Sequence, residues 1–198
     1  MIRMLGAVIL AATLPAAASA TVIFEDNFDT ETFALNGSLS NWTVSKGTID
    51  VIGTGYFDLY PGNGRYLDMD GSTMNAGRID TKTTFGFTVG ATYTLSFSYG
   101  KNGFGAETLE FGVAGVDWTL LLPAGAIATL QTWSQDFVAT VASSKLFFEA
   151  LGGDNFGPVL DNVRLAAKAP PPAVVPLPAA AFLLLGGLGL LGALRRRT

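Results

Sequence analysis

Between Thr92 and Tyr99 the chain alternates strictly. Tyr93, Leu95, Phe97 and Tyr99 fall on one side of an extended backbone, and Thr92, Thr94, Ser96 and Ser98 fall on the other. Side chains of a strand point to opposite faces with period two, so this segment predicts a half-buried antiparallel strand. Segments of the same kind recur as TVIFEDNF, NWTVS, TIDVI, RYLDMD, GRIDTKTTF, TLEFGV, VDWTLLL, TWSQDFVAT, KLFFEAL and PVLDNVRL. From residue 21 to residue 168 nothing has helical spacing with caps, and glycines punctuate the connections. Many short strands at intervals of roughly 8 to 12 residues predict an all-β fold, a jelly-roll β-sandwich.

The two ends break this pattern. Residues 1–20 carry one cation, Arg3, an apolar stretch from Met4 to Leu14 and the small residues Ala18, Ser19 and Ala20, which predicts a secretory signal peptide cut after Ala20. At the other end, Ala179 to Leu194 holds no charged or strongly polar residue. A helix of ~16 residues is about 24 Å long against a hydrocarbon core of ~30 Å, so a span there draws on Val174, Val175 and Leu177 and on snorkelling arginines. Arg195, Arg196 and Arg197 then stay cytoplasmic, and everything before Pro170 lies across the inner membrane. The organisation read from sequence is a signal peptide at 1–20, a β-sandwich domain at 21–168, a proline-rich linker at 169–174 and a sorting segment at 175–198. The run from Ala169 to Pro172 makes the linker a stiff, extended spacer.

Val175, Pro176, Leu177, Pro178 and Ala179, followed by the glycine-interrupted apolar helix and the arginine cluster, resemble the VPLPA-type C-terminal sorting signals of Gram-negative bacteria, relatives of the PEP-CTERM signals. That resemblance implies a signal peptidase and an exosortase-like membrane protease as partners during export. It also implies a transient stay in the inner membrane and a final place at the cell surface or outside the cell. The middle of the chain is similar to choice-of-anchor C domains in the order of its segments, with YLDMDG and the closing GPVLDNVRL the most distinctive. This second resemblance implies a galactose-binding-like jelly roll, and location more than activity.

Composition narrows the chemistry. With no Cys there is no disulfide or thiol nucleophile, and with no His the usual general base and the commonest metal ligand are missing. Ser-His and Cys-His catalysis and histidine-bearing zinc sites are excluded. The formal charge is -4, yet four of the 12 basic residues lie in the terminal segments and all 16 acids lie between them. The middle thus carries 8 Lys and Arg against 16 Asp and Glu, a charge of -8. Such a surface excludes nucleic acid as partner, because phosphate binding needs Lys and Arg on one face.

Three sets of residues are candidates for chemistry. Asp161, in the last strand, needs a partner among its apolar neighbours. In the carbohydrate-binding jelly rolls that this domain resembles, an aspartate there joins an acid of the first strand around a structural calcium ion, which by resemblance implies Asp29 and a backbone oxygen near Asn27. The other reading has Asp161 bonding turn amides or pairing with Arg164 or Arg78. Asp68 and Asp70 lie two apart on one strand, which suits a solvated face or a turn cap better than the two carboxylates of a glycosidase across a cleft. Asp50 and Asp80 have the same bland reading. Tyr56, Phe57, Tyr60 and Phe104 lie in glycine-rich connections beside Asp and Asn, the residue types that stack on sugar rings and bond their hydroxyls. They can equally tuck under their loops, whereas Trp42, Trp118, Trp133, Phe97, Phe137, Phe147 and Phe148 are expected in the core.

The sequence therefore predicts a non-enzymatic exported surface or matrix protein associated with exopolysaccharide. The alternative is a dedicated carbohydrate-binding module, and a glycoside-active enzyme rests only on Asp68 and Asp70. Intact-mass analysis of the protein recovered from the cell surface is expected to give a chain starting at Thr21 and shortened or modified near Val175 to Ala179. A mass equal to residues 21–198 contradicts tail processing.

Overall fold

The computed structural model of this chain describes residues 20–169. The predicted signal peptide up to Ser19, the linker beyond Ala169, and the sorting residues Val175 to Ala179 and Arg195 to Arg197 lie outside the described residues.

The regular structure of the described residues is entirely β. One sheet contains β1 (Thr21–Asp26), β3 (Asp50–Gly53), β4 (Arg65–Asp68), β7 (Thr92–Lys101), β10 (Gln131–Val138) and β13 (Pro158–Ala167), and runs in the order β10-β7-β13-β4-β3, with β1 also pairing β13. The second sheet runs β2-β5-β12-β8-β9, from β2 (Trp42–Lys46), β5 (Arg78–Thr81), β8 (Glu107–Val113), β9 (Val116–Leu122) and β12 (Phe147–Ala150). A two-residue pair, β6 (Phe85–Gly86) with β11 (Ser143–Ser144), stands apart. The chain passes repeatedly from one sheet to the other, except at the β3–β4 and β8–β9 hairpins, which stay within one sheet. This is the predicted jelly-roll sandwich.

The alternation read along β7 sets its orientation. Tyr93, Leu95 and Phe97 are buried and the intervening Thr and Ser side chains are half-exposed. Phe97 meets Phe111 of β8 at 4.9 Å and Phe148 of β12 at 5.1 Å between ring centroids, both edge to face, and Trp42 of β2 stands 5.9 Å from Phe148. Aromatic pairs in this geometry add about 0.5–1.5 kcal/mol to the burial of their area. Trp118 and Trp133 pack at the margin of the same layer, 5.4 Å from each other. The indole N–H of Trp42 donates to Oδ2 of Asp26 at 2.9 Å, and the same carboxylate accepts from Asn41 Nδ2 and from the Phe28 amide. Asp26 thus ties the end of β1 to β2 in the opposite sheet.

Two irregularities prepare the ends of the sandwich. Along one side of β13, β4 pairs with Val159 and Leu160 and β1 pairs from Val163 onward, so two different strands meet there. At that junction β13 bulges between Asp161 and Arg164, with Asn162 at φ 49°. Elsewhere, Gly64 and Gly157 carry the backbone so close to Asp29 and Asp70 that an added Cβ would lie 1.9 Å and 2.6 Å from their side chains. Phe148→Ala, which empties the centre of the aromatic layer, is expected to cost about 3–5 kcal/mol in denaturant unfolding. A loss below about 1 kcal/mol contradicts this packing.

Candidate functional site

The loop from Gly53 to Gly64 is fixed from beneath. Tyr66, fully buried in β4, accepts the amide hydrogens of Leu59 at 2.6 Å and Tyr60 at 2.9 Å on its hydroxyl, which in turn donates to Asp58 at 3.1 Å. Burial drives that phenol up to about 12, so it keeps its proton and its donor role at any physiological pH. Tyr60, expected at the binding surface, is instead 4% exposed and packs with Ile52, Tyr66 and Val159. Its hydroxyl exchanges hydrogen bonds with the Lys101 backbone, donating to the carbonyl at 2.9 Å and accepting from the amide at 2.8 Å. Tyr60 is therefore a strut that joins this loop to β7. It offers no ring face to a ligand.

Held in this way, the loop turns Phe57 outward. Phe57 has φ 50°, a left-handed conformation costly for a bulky residue, and is 63% exposed. Tyr56 supports it edge to face at 4.9 Å, Phe33 backs Tyr56 at 5.6 Å, and the Arg65 guanidinium lies 4.4 Å over Phe33. Phe57 borders a cleft of about 180 Å³ lined also by Leu35, Leu59, Asp50, Asp68, Asn102 and Asn155. Phe104, 76% exposed, follows Asn102 in its loop but is not part of that lining. Of the four expected aromatics, the cleft therefore uses Phe57 directly and Tyr56 as its support.

The polar lining was not anticipated. Asn102 donates from Nδ2 to Asp68 at 2.8 Å, and Asn155 accepts the Met74 amide on Oδ1, so what Asn155 offers a ligand is its NH2 group. Both asparagines sit before a phenylalanine in a glycine loop, as Asn102-Gly-Phe104-Gly and Asn155-Phe156-Gly, and this near-repeat was the available signal.

The carboxylates at this end are not on a solvated face, one of the two readings of Asp68 and Asp70 from sequence, but they do share a turn, as in the other. Strand β4 ends at Asp68, and Asp68 and Asp70 are 3% and 1% exposed. The Asp70 amide donates to Asp68 Oδ1 at 3.1 Å, which puts the two acids in one turn and not across a cleft. Burial raises Asp68 to about 7, against the hydrogen bonds from Asn102 and the Asp70 amide, and the charges of Asp50 and Asp70 push the same way. Asp50, opposite Asp68 in the β3–β4 ladder, accepts the Asn36 amide at 2.7 Å and the Ser72 hydroxyl at 2.5 Å, so it too is buried and not solvated. Asp80 alone matches the surface reading, paired with Arg78 at 3.1 Å.

At the β13 bulge, Asp161 is 1% exposed and, among the described residues, accepts hydrogen bonds only from Asn162, at 2.7 Å from the amide and 2.9 Å from Nδ2. Neither Arg164 nor Arg78 pairs with it among the described residues. Burial raises it to about 7, and the charges of Asp29 and Asp26 add to the rise, so Asp29 and Asp161 are near enough to repel. Asp29 itself is exposed and holds the Arg65 amide at 2.9 Å and Asn27 Nδ2 at 2.9 Å. A hollow of about 550 Å³ beside the bulge is lined by Asp26, Asn27, Asn41 and Asn162 without an exposed aromatic ring, so it offers no stacking surface. Among the described residues, no three acidic side chains gather closely enough to hold a metal ion.

No family model matches the chain, and no curated protein does. Solved structures similar in chain path include a carbohydrate-binding module of Cellvibrio mixtus lichenase 5A in complex with cellotriose, at 18% identity over 75% of this chain and 99% of that one, TM-score 0.42. A family 35 carbohydrate-binding module from Paenibacillus barcinonensis matches at 18% identity over 73% and 99%, TM-score 0.41. A cleaved adhesin domain of Lys-gingipain from Porphyromonas gingivalis matches at 12% identity over 74% and 100%, TM-score 0.48. These are likenesses of chain path, and the reading below rests on this chain's own side chains.

The buried acids set a pH dependence. Because folding raises the Asp68 and Asp161 carboxyls, their stabilising contribution is complete below the ordinary value of 3.8 and is lost as pH rises through about 7. Surface groups act in the opposite sense. Burial pushes Asp80 up, but Arg78 and Ser45 outweigh it, while Lys168 lowers Asp136 and Lys46 lowers Glu149, so their contribution is lost as pH falls below the usual range. The melting temperature in chelator is expected to peak near about pH 4–5 and to fall up to about pH 7, less steeply in Asp68→Asn. A steady rise from pH 5 to 8 contradicts this assignment.

Proposed function

We propose that the domain is a non-catalytic carbohydrate-binding module that works outside the cytoplasm, carried there by the signal peptide and released or anchored through the VPLPA-type tail. The single observation behind this reading is Phe57, an exposed aromatic residue in a left-handed conformation at the rim of a polar cleft. A hydrophobic ring held mostly outward at a backbone cost, with Tyr56 as its one aromatic contact among the described residues, adds little to the core, and such outliers cluster at ligand clamps. A sugar ring offers an apolar C–H face to such a residue and a rim of hydroxyls to its neighbours. Here the neighbours are the Asn155 NH2 group as donor, and Asp50 and Asp68 as acceptors.

Two further features narrow the reading. The cleft, at about 180 Å³, is smaller than the ~300–1,000 Å³ of pockets that enclose a small molecule, so it takes one ring or a chain end. Its lining includes two acids and no Lys or Arg, which favours neutral sugars over uronic acids. The structural calcium implied by resemblance belongs to the same proposal. What supports it is the buried, cation-free carboxylate of Asp161 with Asp29 close by, a hard oxygen set that carbonyls and water can complete.

On an array of neutral and acidic glycans, the protein is expected to retain neutral ligands. Phe57→Ala should weaken that retention at least about tenfold, or ~1.4 kcal/mol, and Phe104→Ala should weaken it less. Silence across neutral glycans, or binding unchanged in Phe57→Ala, overturns the proposal.

A further inference from the structure

Behind the cleft, a second group of acids forms no ion pair among the described residues. Asp70 is 1% exposed, and its Oδ1 is a buried oxygen without a hydrogen-bond partner among the described residues. Its other oxygen accepts a long bond, 3.3 Å, from the Asp154 amide, and the Gly153 amide also faces this carboxylate. Glu107, the first residue of β8, is 6% exposed; its carboxylate makes no hydrogen bond among the described residues, and its oxygens, unlike Asp70 Oδ1, keep contact with solvent. The two meet under one point of the chain. A Cβ built on Gly152 would lie 2.8 Å from Asp70 Oδ2 and 3.8 Å from Glu107 Oε2.

The nearby cation forms no ion pair with them, although its charge acts against the rise that burial gives Glu107. Lys101 is buried, but its ammonium donates to the Gly105 and Pro123 carbonyls, and the four ion pairs among the described residues include none of Asp70, Glu107 or Asp154. A desolvated carboxylate without a partner is costly, and ordinarily it is paired or it coordinates a metal.

We propose that Asp70 and Glu107 form a divalent-cation site of the calcium class beneath Gly152, distinct from the Asp29–Asp161 pair. Since no three acidic side chains surround one point, the remaining ligands are main-chain carbonyls and water, a mixture that calcium accepts with its six to eight oxygens. The donor set is all oxygen and contains no nitrogen or sulfur, which selects a hard cation. Magnesium fits less well, because it demands a near-octahedral shell at short distances that a two-carboxylate loop site does not impose. The site lies under the 151–157 loop, which also places Asn155 in the cleft, with Gly153 at φ 153° and Asn155 at φ 66°. A bound ion therefore fixes the loop that carries a cleft donor. The cation site itself stands whether or not the cleft takes a sugar.

The test is calcium titration of the purified full chain by calorimetry, with melting temperature followed in parallel in chelator and in calcium. The expected result is a calcium-binding component that persists in Asp161→Asn and weakens at least about tenfold in Asp70→Asn and Glu107→Gln. In chelator, Asp70→Asn should melt no lower than the parent, because a neutral amide replaces an orphaned charge, while it loses the rise that calcium gives the parent. If Asp70→Asn does not fold, Glu107→Gln carries the same comparison. A titration unchanged in both variants, or no calcium binding at all by the parent, overturns the site. An equal response to magnesium overturns the calcium assignment.

Discussion

Everything in this domain hangs on the interlocking of one aromatic layer between two sheets. Trp42, Phe97, Phe111 and Phe148 come from four strands of both sheets and contact one another edge to face or stacked at 4.9 to 5.9 Å. With no cysteine, there is no covalent staple to share the task. Burying such rings stabilises the fold by about 1.5–3 kcal/mol each, and because sheets pack only in complementary registers the layer also fixes where each strand ends. The ends matter because the connecting loops, and the chemistry they carry, are launched from them.

What those ends carry is an excess of buried negative charge. Among the described residues, Asp26, Glu31, Asp50, Asp68, Asp70, Glu107 and Asp161 are buried, against the single buried ammonium of Lys101. Most are satisfied by backbone amides or by Asn, Ser and Trp donors, as Asp26 and Asp50 show, and these are organising contacts between strands and turns. Asp70, Glu107 and Asp161 are the exceptions: among the described residues Asp70 has an orphan oxygen, Glu107 has no hydrogen bond, and Asp161 is served only by the neighbouring Asn162. Burial with few partners is the common thread between the bulge in β13 and the loop under Gly152, and it is what supports the cations proposed at both.

The strands were legible because alternation records one-sided burial, and β7 shows it most clearly. The β6–β11 pair was not, since two residues have no period. Tyr60 shows the limit in the loops. Its neighbourhood reads as exposed, yet its hydroxyl is claimed by the backbone of Lys101, 41 residues away, a long-range contact without local signature. Asp68 and Asp70 were misread for a similar reason. The groups that cover and bond them come from the loops at Asn102 and Asp154. Phe57 was legible as a loop aromatic, but its outward pose depends on Tyr66 holding two backbone amides from below.

The central claim is that the Phe57 cleft at one end of the sandwich, and not a sheet face, is where a ligand binds. Amide chemical-shift mapping during titration with a neutral oligosaccharide retained by the protein addresses it most directly. The account predicts perturbations grouped at Ile52 to Tyr60, Asn102 and Asn155. Perturbations spread over the exposed side of β7 and β10, with Phe57 unmoved, would contradict it.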